Sequence, residues 1–512
     1  MEKYLLSILI FLPIVFALPL LFFKRENEKL IKVYTIVISV LTFAFAIYAY
    51  FLFNTFSGDY QFIEKHKWIG IINAHYYVGI DGISLLLILL TTFILPLSII
   101  VSWNTIKIRV KEFYLLMLLM EGGLIGVFSS VDLLLFYVFW EFILIPMYFL
   151  IGIWGSENRV YATMKFFLYT MFGSVLLLIG IIWLGFLCEP YIGEFSLDLT
   201  KLQLAALNLP LNKQIILFIF FTLGFLIKVP LFPFHTWLPD AHVQAPTAGS
   251  VVLAALLLKM GTYGLIRFSL SLFPAAFVKL TPYIATLAVI GIIYGALLSI
   301  VQKDMKKLVA YSSVSHLGFI VLGTFALTQT AMQGSVIQMI NHGLSTGALF
   351  MIVGMLYERR HTKEIKEFGG LMKVMPIFSG IFLVICLSSI GLPGLNGFIG
   401  EFLVLVGAYD SPNLDSNIYV ILSTTAVIFS AVYLLWLFQR LMLGPIENDK
   451  NRSLKDINKN ELLALVPILV FVVWIGVQPN TFLKITEKSV EKILMNFENS
   501  NAKLNTEQLN GK

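Results

Sequence analysis

Charge is the first thing this sequence has little of. Only 13% of its 512 residues are Asp, Glu, Lys or Arg, about half the share of a soluble domain. With 58% hydrophobic residues and a mean hydropathy of +0.86, a water-facing surface cannot be assembled, and the soluble globular classes are excluded. Cysteine is nearly absent. Cys188 and Cys386 are too few and too far apart for an iron–sulfur cluster, a haem, a zinc site or a disulfide framework. Also missing is any long polar stretch from which a soluble domain would be built.

What is present is apolar runs. A bilayer-crossing helix needs about 20 such residues. Runs of that kind lie at 4–22, 31–53, 82–101, 113–130, 132–153, 161–187, 214–238, 246–268, 282–301, 308–327, 331–356, 374–409, 418–443 and 461–477. The reading is an all-α polytopic membrane protein with about fourteen spans. Residues 1–23 have the Lys3-then-apolar start of a signal peptide. Their apolar run ends in "FKRENEK" rather than in small residues before a cleavage point, so they are read as span 1.

Basic residues in the loops alternate unevenly. One side of the membrane receives 22 Lys and Arg, the other, termini included, 12. The positive-inside rule puts the richer side in the cytoplasm and both termini outside, in the periplasm for a bacterial inner membrane. A nucleic-acid patch is the competing reading, and the scatter of these charges over separate short loops argues against it. Two basic residues, Lys228 and Lys259, remain inside the hydrocarbon.

Two spans carry helix breakers. In "GFLIKVPLFPFHTWLPDAH", Pro230 and Pro233 follow Lys228. In "SSIGLPGLNGFIGEF", Pro393 stands among glycines just before Glu401. The 374–409 run is about 54 Å as one helix, too long for a core of about 30 Å and too short for two spans. It is therefore read as one span broken at mid-depth. The broken spans 7 and 12 are five apart, which suggests two five-helix repeats of opposite topology, spans 4–8 and 9–13. Domain divisions follow: 1–112 with three spans, 113–268 and 282–443 as the repeats, and 444–512 with span 14 and a short tail. Breaks at matching places in inverted halves point to an ion pathway. Unrelated proline kinks, which membrane helices tolerate, are the plainer explanation.

Ionisable groups inside a membrane are expensive and mark function by default. Here they are Glu121, Glu141, Lys228, Lys259, His316, His342 and Glu401. Acids and lysines at one depth suggest pairing. Moving a carboxylate away from a buried lysine favours release of the lysine's proton, which couples geometry to protonation. For each residue taken alone, a static ion pair or a core imidazole competes with this reading. His235 and His242 flank the broken end of span 7. Their spacing suits no metal site, and a helix-end or proton-entry role is preferred. Asp132, after "FSSV", reads as the N-cap of span 5.

The stretches "FYVFWEFILIPMYFLIGIWG", "GFLIKVPLFPFHTWLPDAHVQAPTAGSVVLAALLLKMGTYG", "DMKKLVAYSSVSHLGFI" and "SSIGLPGLNGFIGEF" resemble the antiporter-like, proton-pumping subunits of NADH:quinone oxidoreductase, respiratory complex I. The likeness runs from Val78 to span 14. It is greatest for the M-type subunit, which has a glutamate on span 12, here Glu401, and lacks a long lateral helix. The resemblance implies that Glu141 pairs with the pumping lysine Lys228, that Lys259 relays through His316 and His342, and that Glu401 serves the exit. It implies no cofactor on this chain, with NADH, FMN, iron–sulfur clusters and quinone held by partner subunits. Implied partners are the other membrane subunits, especially the two related antiporter-like ones, with lipid and protons and no nucleic acid. Multisubunit (Mrp-type) sodium–proton antiporters share the lysine and glutamate motifs and are the main rival reading. A subunit of a hydrogenase- or ferredoxin-linked complex and a non-transporting scaffold are two further rivals.

Overall fold

The computed structural model describes residues 2–414 and 416–510. Thirteen helices among these are long and apolar enough to cross a membrane: Leu5–Phe22, Glu28–Leu52, Gly82–Val101, Val110–Ser129, Leu133–Trp154, Arg159–Ile192, Leu211–Lys228, Thr247–Leu270, Pro274–Ile300, Met305–Ala326, Gln329–Arg360, Ile418–Met442 and Lys459–Val477. Between the eleventh and twelfth of these lies the pair Pro376–Ile390 and Asn396–Tyr409, which is span 12 in two pieces. With it the expected fourteen spans are complete. Spans 8 and 11 are enclosed along the whole of their apolar windows, whereas spans 13 and 14 bury only 28% of theirs. Lys259 and His342 ride on the two enclosed spans, so the protein itself is their solvent.

Both expected breaks are present, each with a local cause. Span 7 stops at Lys228, and the next helix begins at Trp237. Pro230 and Pro233 lie between and supply no N–H for the helix ladder. The Trp237 indole N–H donates to the carbonyl of Ile227 at 2.9 Å, so a freed group stays satisfied in the interior. In span 12, Gly391 takes φ +86°, ends the first piece and accommodates the reversal. A Cβ at Gly397 would stand 2.0 Å from the carbonyl oxygen of Ser388, so only glycine lets the second piece approach the first.

Irregularities not foreseen lie beside two of the candidate residues. Span 8 contains two π-helical turns, Leu253–Leu257 and Leu265–Leu270, and Lys259 follows closely on the first. Such turns recur at functional positions in helices. Span 5 slips at Ile143, two residues beyond Glu141, where Pro146 has no N–H for the Phe142 carbonyl.

The all-α membrane architecture holds, with one addition between its spans. Strands β1 (Gln61–Ile69) and β2 (Ala74–Ile80) form an antiparallel hairpin between spans 2 and 3, turning through Asn73 in the left-handed region. Hydropathy registers only the spans, so this aromatic-rich segment passed as loop. The hairpin is anchored at three places. Glu64 accepts hydrogen bonds from the Ser7 backbone and hydroxyl. The Tyr77 carbonyl accepts from Val131 N–H, and Lys65 pairs with Asp198 at 2.6 Å. Asp132 is the expected N-cap, accepting from Leu134 and Leu135 N–H, and it also accepts from His75 N–H on the hairpin. The tail differs as well. It forms a helix over Asn480–Asn510, which buries Phe482, Ile485, Val490 and Leu494, and Ser489 accepts from Gly82 N–H at the head of span 3.

The charge placement also changes. Arg267, at the end of the expected span 8, and Lys306, both counted from sequence outside the hydrocarbon, are 5% and 2% exposed. Arg267 lies in the last turn of span 8, paired with Asp81 at 2.7 Å. The rings of Tyr60 and Tyr263 stand over its guanidinium at 5.2 Å.

Candidate functional site

The buried ionisable residues fall into two groups. The first surrounds Lys228. Its side chain is 2% exposed, and its ammonium sits over the faces of Trp140 and Phe166, 5.4 and 5.6 Å from their centroids. These rings supply cation–π attraction in place of water. Glu141 is only partly buried. No carboxylate stands within 4 Å of Lys228 among the described residues. The direct pair expected from sequence is therefore open in this conformation. Glu121 is fully buried, and its one hydrogen bond comes from Ser39 on span 2 at 3.0 Å, not from the lysine-bearing spans.

The second group is continuous. Lys259 Nζ donates to the Ala254 carbonyl at 2.6 Å and lies 2.6 Å from His342 Nδ1. The carbonyl belongs to the π turn, which exposes it towards the side chain. The His342 and His316 rings are 5.9 Å apart, centroid to centroid. His316 Nδ1 is 2.7 Å from Glu401 Oε1, which also accepts from Gln338 Nε2 at 3.1 Å. Tyr433 closes the far side of His316, its hydroxyl 3.3 Å from Nε2. Bordered by both imidazoles, and by Asn341, Ser345 and Ser388, is a void of ≈ 10 Å³. That is about the room one water occupies. His342 Nε2 has no hydrogen-bond partner among the described residues.

Sequence reasoning missed the neutral members of this group. Asn396 in the span 12 break accepts from Ser388 Oγ at 2.5 Å, and Asn341 Nδ2 donates to the Asn396 carbonyl at 2.7 Å. Ser345 and Ser388 hydroxyls are 2.6 Å apart. The signal was there in "QMINHGLS": Gln338, Asn341, His342 and Ser345 recur at helical spacing and make one polar stripe on an enclosed helix.

His242 lies apart from both chains of contacts. It is fully buried, stacked on Phe350 at 4.3 Å, with neither ring nitrogen hydrogen-bonded among the described residues. His235 packs among Phe232 and Tyr294 with Nδ1 unpartnered. Pro393 stands in the span 12 break between Gly391 and Gly394, both at positive φ.

Known proteins share this sequence and architecture. The family described as NADH:quinone oxidoreductase/Mrp antiporter, TM, matches residues 130–430. NADH-quinone oxidoreductase subunit M of Rickettsia prowazekii (strain Madrid E) is 44% identical over 500 residues, covering 97% of this chain and all of that protein. A chain of respiratory complex I from Thermus thermophilus superposes with a TM-score of 0.86 at 30% identity, covering 96% of this chain and 99% of that one. A chain of the Mrp complex from Dietzia sp. DQ12-45-1b reaches 0.84 at 17% identity, covering 96% and 97%; at that identity the likeness is one of fold. The chain belongs to the NADH:quinone oxidoreductase/Mrp antiporter transmembrane family, with the M subunits of NADH-quinone oxidoreductase as its relatives in sequence.

Proposed function

We propose that this chain is a proton-translocating membrane-arm subunit of a complex I-type NADH:quinone oxidoreductase. In this reading it is a non-redox part of the translocating enzyme, embedded in a bacterial inner membrane with both termini outside. The observation that carries the proposal is the line Lys259–His342–His316–Glu401, with contacts of 2.6 and 2.7 Å at its ends and a water-sized gap in the middle. These are distances over which protons pass directly or through one water.

Lys228 is the switching cation of the first repeat, 113–268, and Glu141 is the acid that approaches or leaves it. The open Glu141–Lys228 geometry is then one of two states, and closing it holds the lysine's proton. Lys259, His342, His316 and Glu401 carry the proton into the second repeat, 282–443. The breaks at Pro230, Pro233 and Pro393 give backbone and water access at mid-depth. Glu121, His235 and His242 are accessory positions. NADH, FMN, iron–sulfur clusters and quinone belong to partner subunits, and the neighbouring antiporter-like subunits pass the driving change to this one. Each proton moved against 100 mV requires about 2.3 kcal/mol.

The test is proton uptake against NADH oxidation in sealed inverted vesicles of the assembled enzyme. Lys228→Ala, Glu141→Gln and Glu401→Gln should each remove most of the pumping while leaving assembly largely intact. Normal pumping by Lys228→Ala would sink the proposal.

A further inference from the structure

On the face carrying most of the loop lysines, a cavity of ≈ 300 Å³ opens between the ends of spans 3, 5, 6, 8, 10 and 11. Its charged lining is Lys107, Arg159, Lys306 and Lys363 against the single acid Glu358. Apolar side chains, Ile106, Ile108 and Trp154 among them, make up one wall. None of these residues belongs to the proposed proton line.

The four cations differ from their neighbours on the same face. Arg25, Lys165 and Arg359 reach carboxylates of Glu112, Asp240 and Glu461 at 2.9, 2.7 and 2.6 Å. The cavity cations have no carboxylate within 4 Å among the described residues. Lys107 and Arg159 are exposed at the rim, whereas the other two are turned inward. Lys306 is 2% exposed and donates to the Ala245 carbonyl at 2.8 Å. Lys363 is held inward by the Val243 carbonyl at 2.6 Å and Ser156 Oγ at 2.9 Å. Arg159 donates to the Gly155 carbonyl at 3.3 Å. Backbone oxygens thus orient the cations but do not neutralise them.

Uncompensated cations around a low-dielectric concavity focus a positive potential on its interior. Ammonium and guanidinium groups with spare N–H donors suit a tetrahedral oxyanion. The walls are the ends of spans, which puts the cavity at headgroup depth, where basic pockets between helices take anionic lipids. We infer that this cavity is a binding site for a phosphate group. The group is either that of an anionic phospholipid, whose glycerol would lie along the Ile106–Ile108–Trp154 wall, or free phosphate. Bound there, the anion supplies a counter-charge at contact distance, which no carboxylate among the described residues gives the four cations, and joins the ends of spans 6 and 10 to the loops after spans 3 and 11.

The test uses the full-length chain, purified in detergent and stripped of lipid, with adducts counted by native mass spectrometry. Inorganic phosphate and short-chain phosphatidylglycerol are titrated separately. One saturable adduct per chain is expected. Tighter binding of phosphatidylglycerol than of phosphate identifies the lipid as occupant, and equal or tighter phosphate binding identifies the free ion. The double substitution Lys107→Gln with Arg159→Gln should weaken the adduct about thirtyfold. Lys107 is exposed and its side chain makes no hydrogen bond among the described residues, so Lys107→Gln alone should fold normally and weaken binding less. Lys279→Gln, exposed near the start of span 9 and away from the cavity, should change nothing. Failure of both probes to bind, or undiminished binding by the double variant, overturns the site.

Discussion

A lysine enclosed by protein at mid-membrane needs something that holds its proton and something that takes it away. Lys259 has both within 2.6 Å, a carbonyl and an imidazole nitrogen, and the imidazole is joined through a water-sized void to the His316–Glu401 contact. Removing a member of such a line removes a transfer step, whereas removing a group at its margin weakens orientation only. His316→Gln is therefore expected to cut NADH-driven proton uptake by about tenfold or more. Tyr433→Phe should cut it no more than about twofold, because a 3.3 Å contact is long for an O–H···N bond. Equal losses in both variants would show that His316 matters for packing rather than transfer. The surroundings of Lys228 follow another pattern, aromatic faces instead of a base, which suits a group that switches when Glu141 moves.

At the scale of the element, the breaks depend on glycine as much as on proline. Gly397→Ala places a methyl 2.0 Å from the Ser388 oxygen, a backbone atom that cannot swing aside, and should destabilise the protein by about 2 kcal/mol or more. Gly394 has φ +92° and open space around it, so Gly394→Ala should cost only about 1 kcal/mol of backbone strain. Melting temperatures of the purified chain in detergent check this order. The hairpin offers a pH test. Burial raises the Asp198 carboxyl, but the Lys65 ammonium and the Thr200 hydroxyl and N–H overcome this, leaving it below the usual carboxylate range. A depressed carboxylate stabilises the fold above its unfolded value, near 3.9, and that stabilisation is lost as pH falls through the lower folded value. Hydrogen exchange in β1 and β2 should therefore accelerate below about pH 4, and Lys65→Gln should narrow that response.

For the whole molecule, the buried Arg267–Asp81 pair joins span 8 to the head of span 3, and the tail helix covers the same region through Ser489. Arg267→Met leaves Asp81 charged in the interior without its counter-ion, held only by the Ser84 N–H at 3.0 Å, at an expected cost of about 3–5 kcal/mol. Arg267→Met combined with Asp81→Leu should recover much of that loss, since no orphaned charge remains. The amount of folded chain extracted from membranes measures both. A double variant no better than the single one would show that the arginine acts through its aromatic contacts instead.

Read alone, the sequence decided the membrane class, the fourteen spans and the two breaks, and it singled out the buried ionisable residues that the structure gathers into two groups. Apolar content, proline and glycine act over stretches of about twenty residues, and an ionisable group in such a stretch is conspicuous. Hydropathy says nothing about a hairpin between spans, so β1 and β2 went unseen, and neutral Asn341, Ser345 and Asn396 looked like packing. Only the folded chain decided who meets whom. Lys259 and His342 are 83 residues apart, and His316 and Glu401 are 85 apart. Lys228 stands over aromatic rings instead of touching Glu141, while Arg267, counted from sequence outside the hydrocarbon, is buried against Asp81. Such pairings arise when helices from distant parts of the chain turn particular faces toward one another, and periodicity within one helix does not determine which face its neighbour presents.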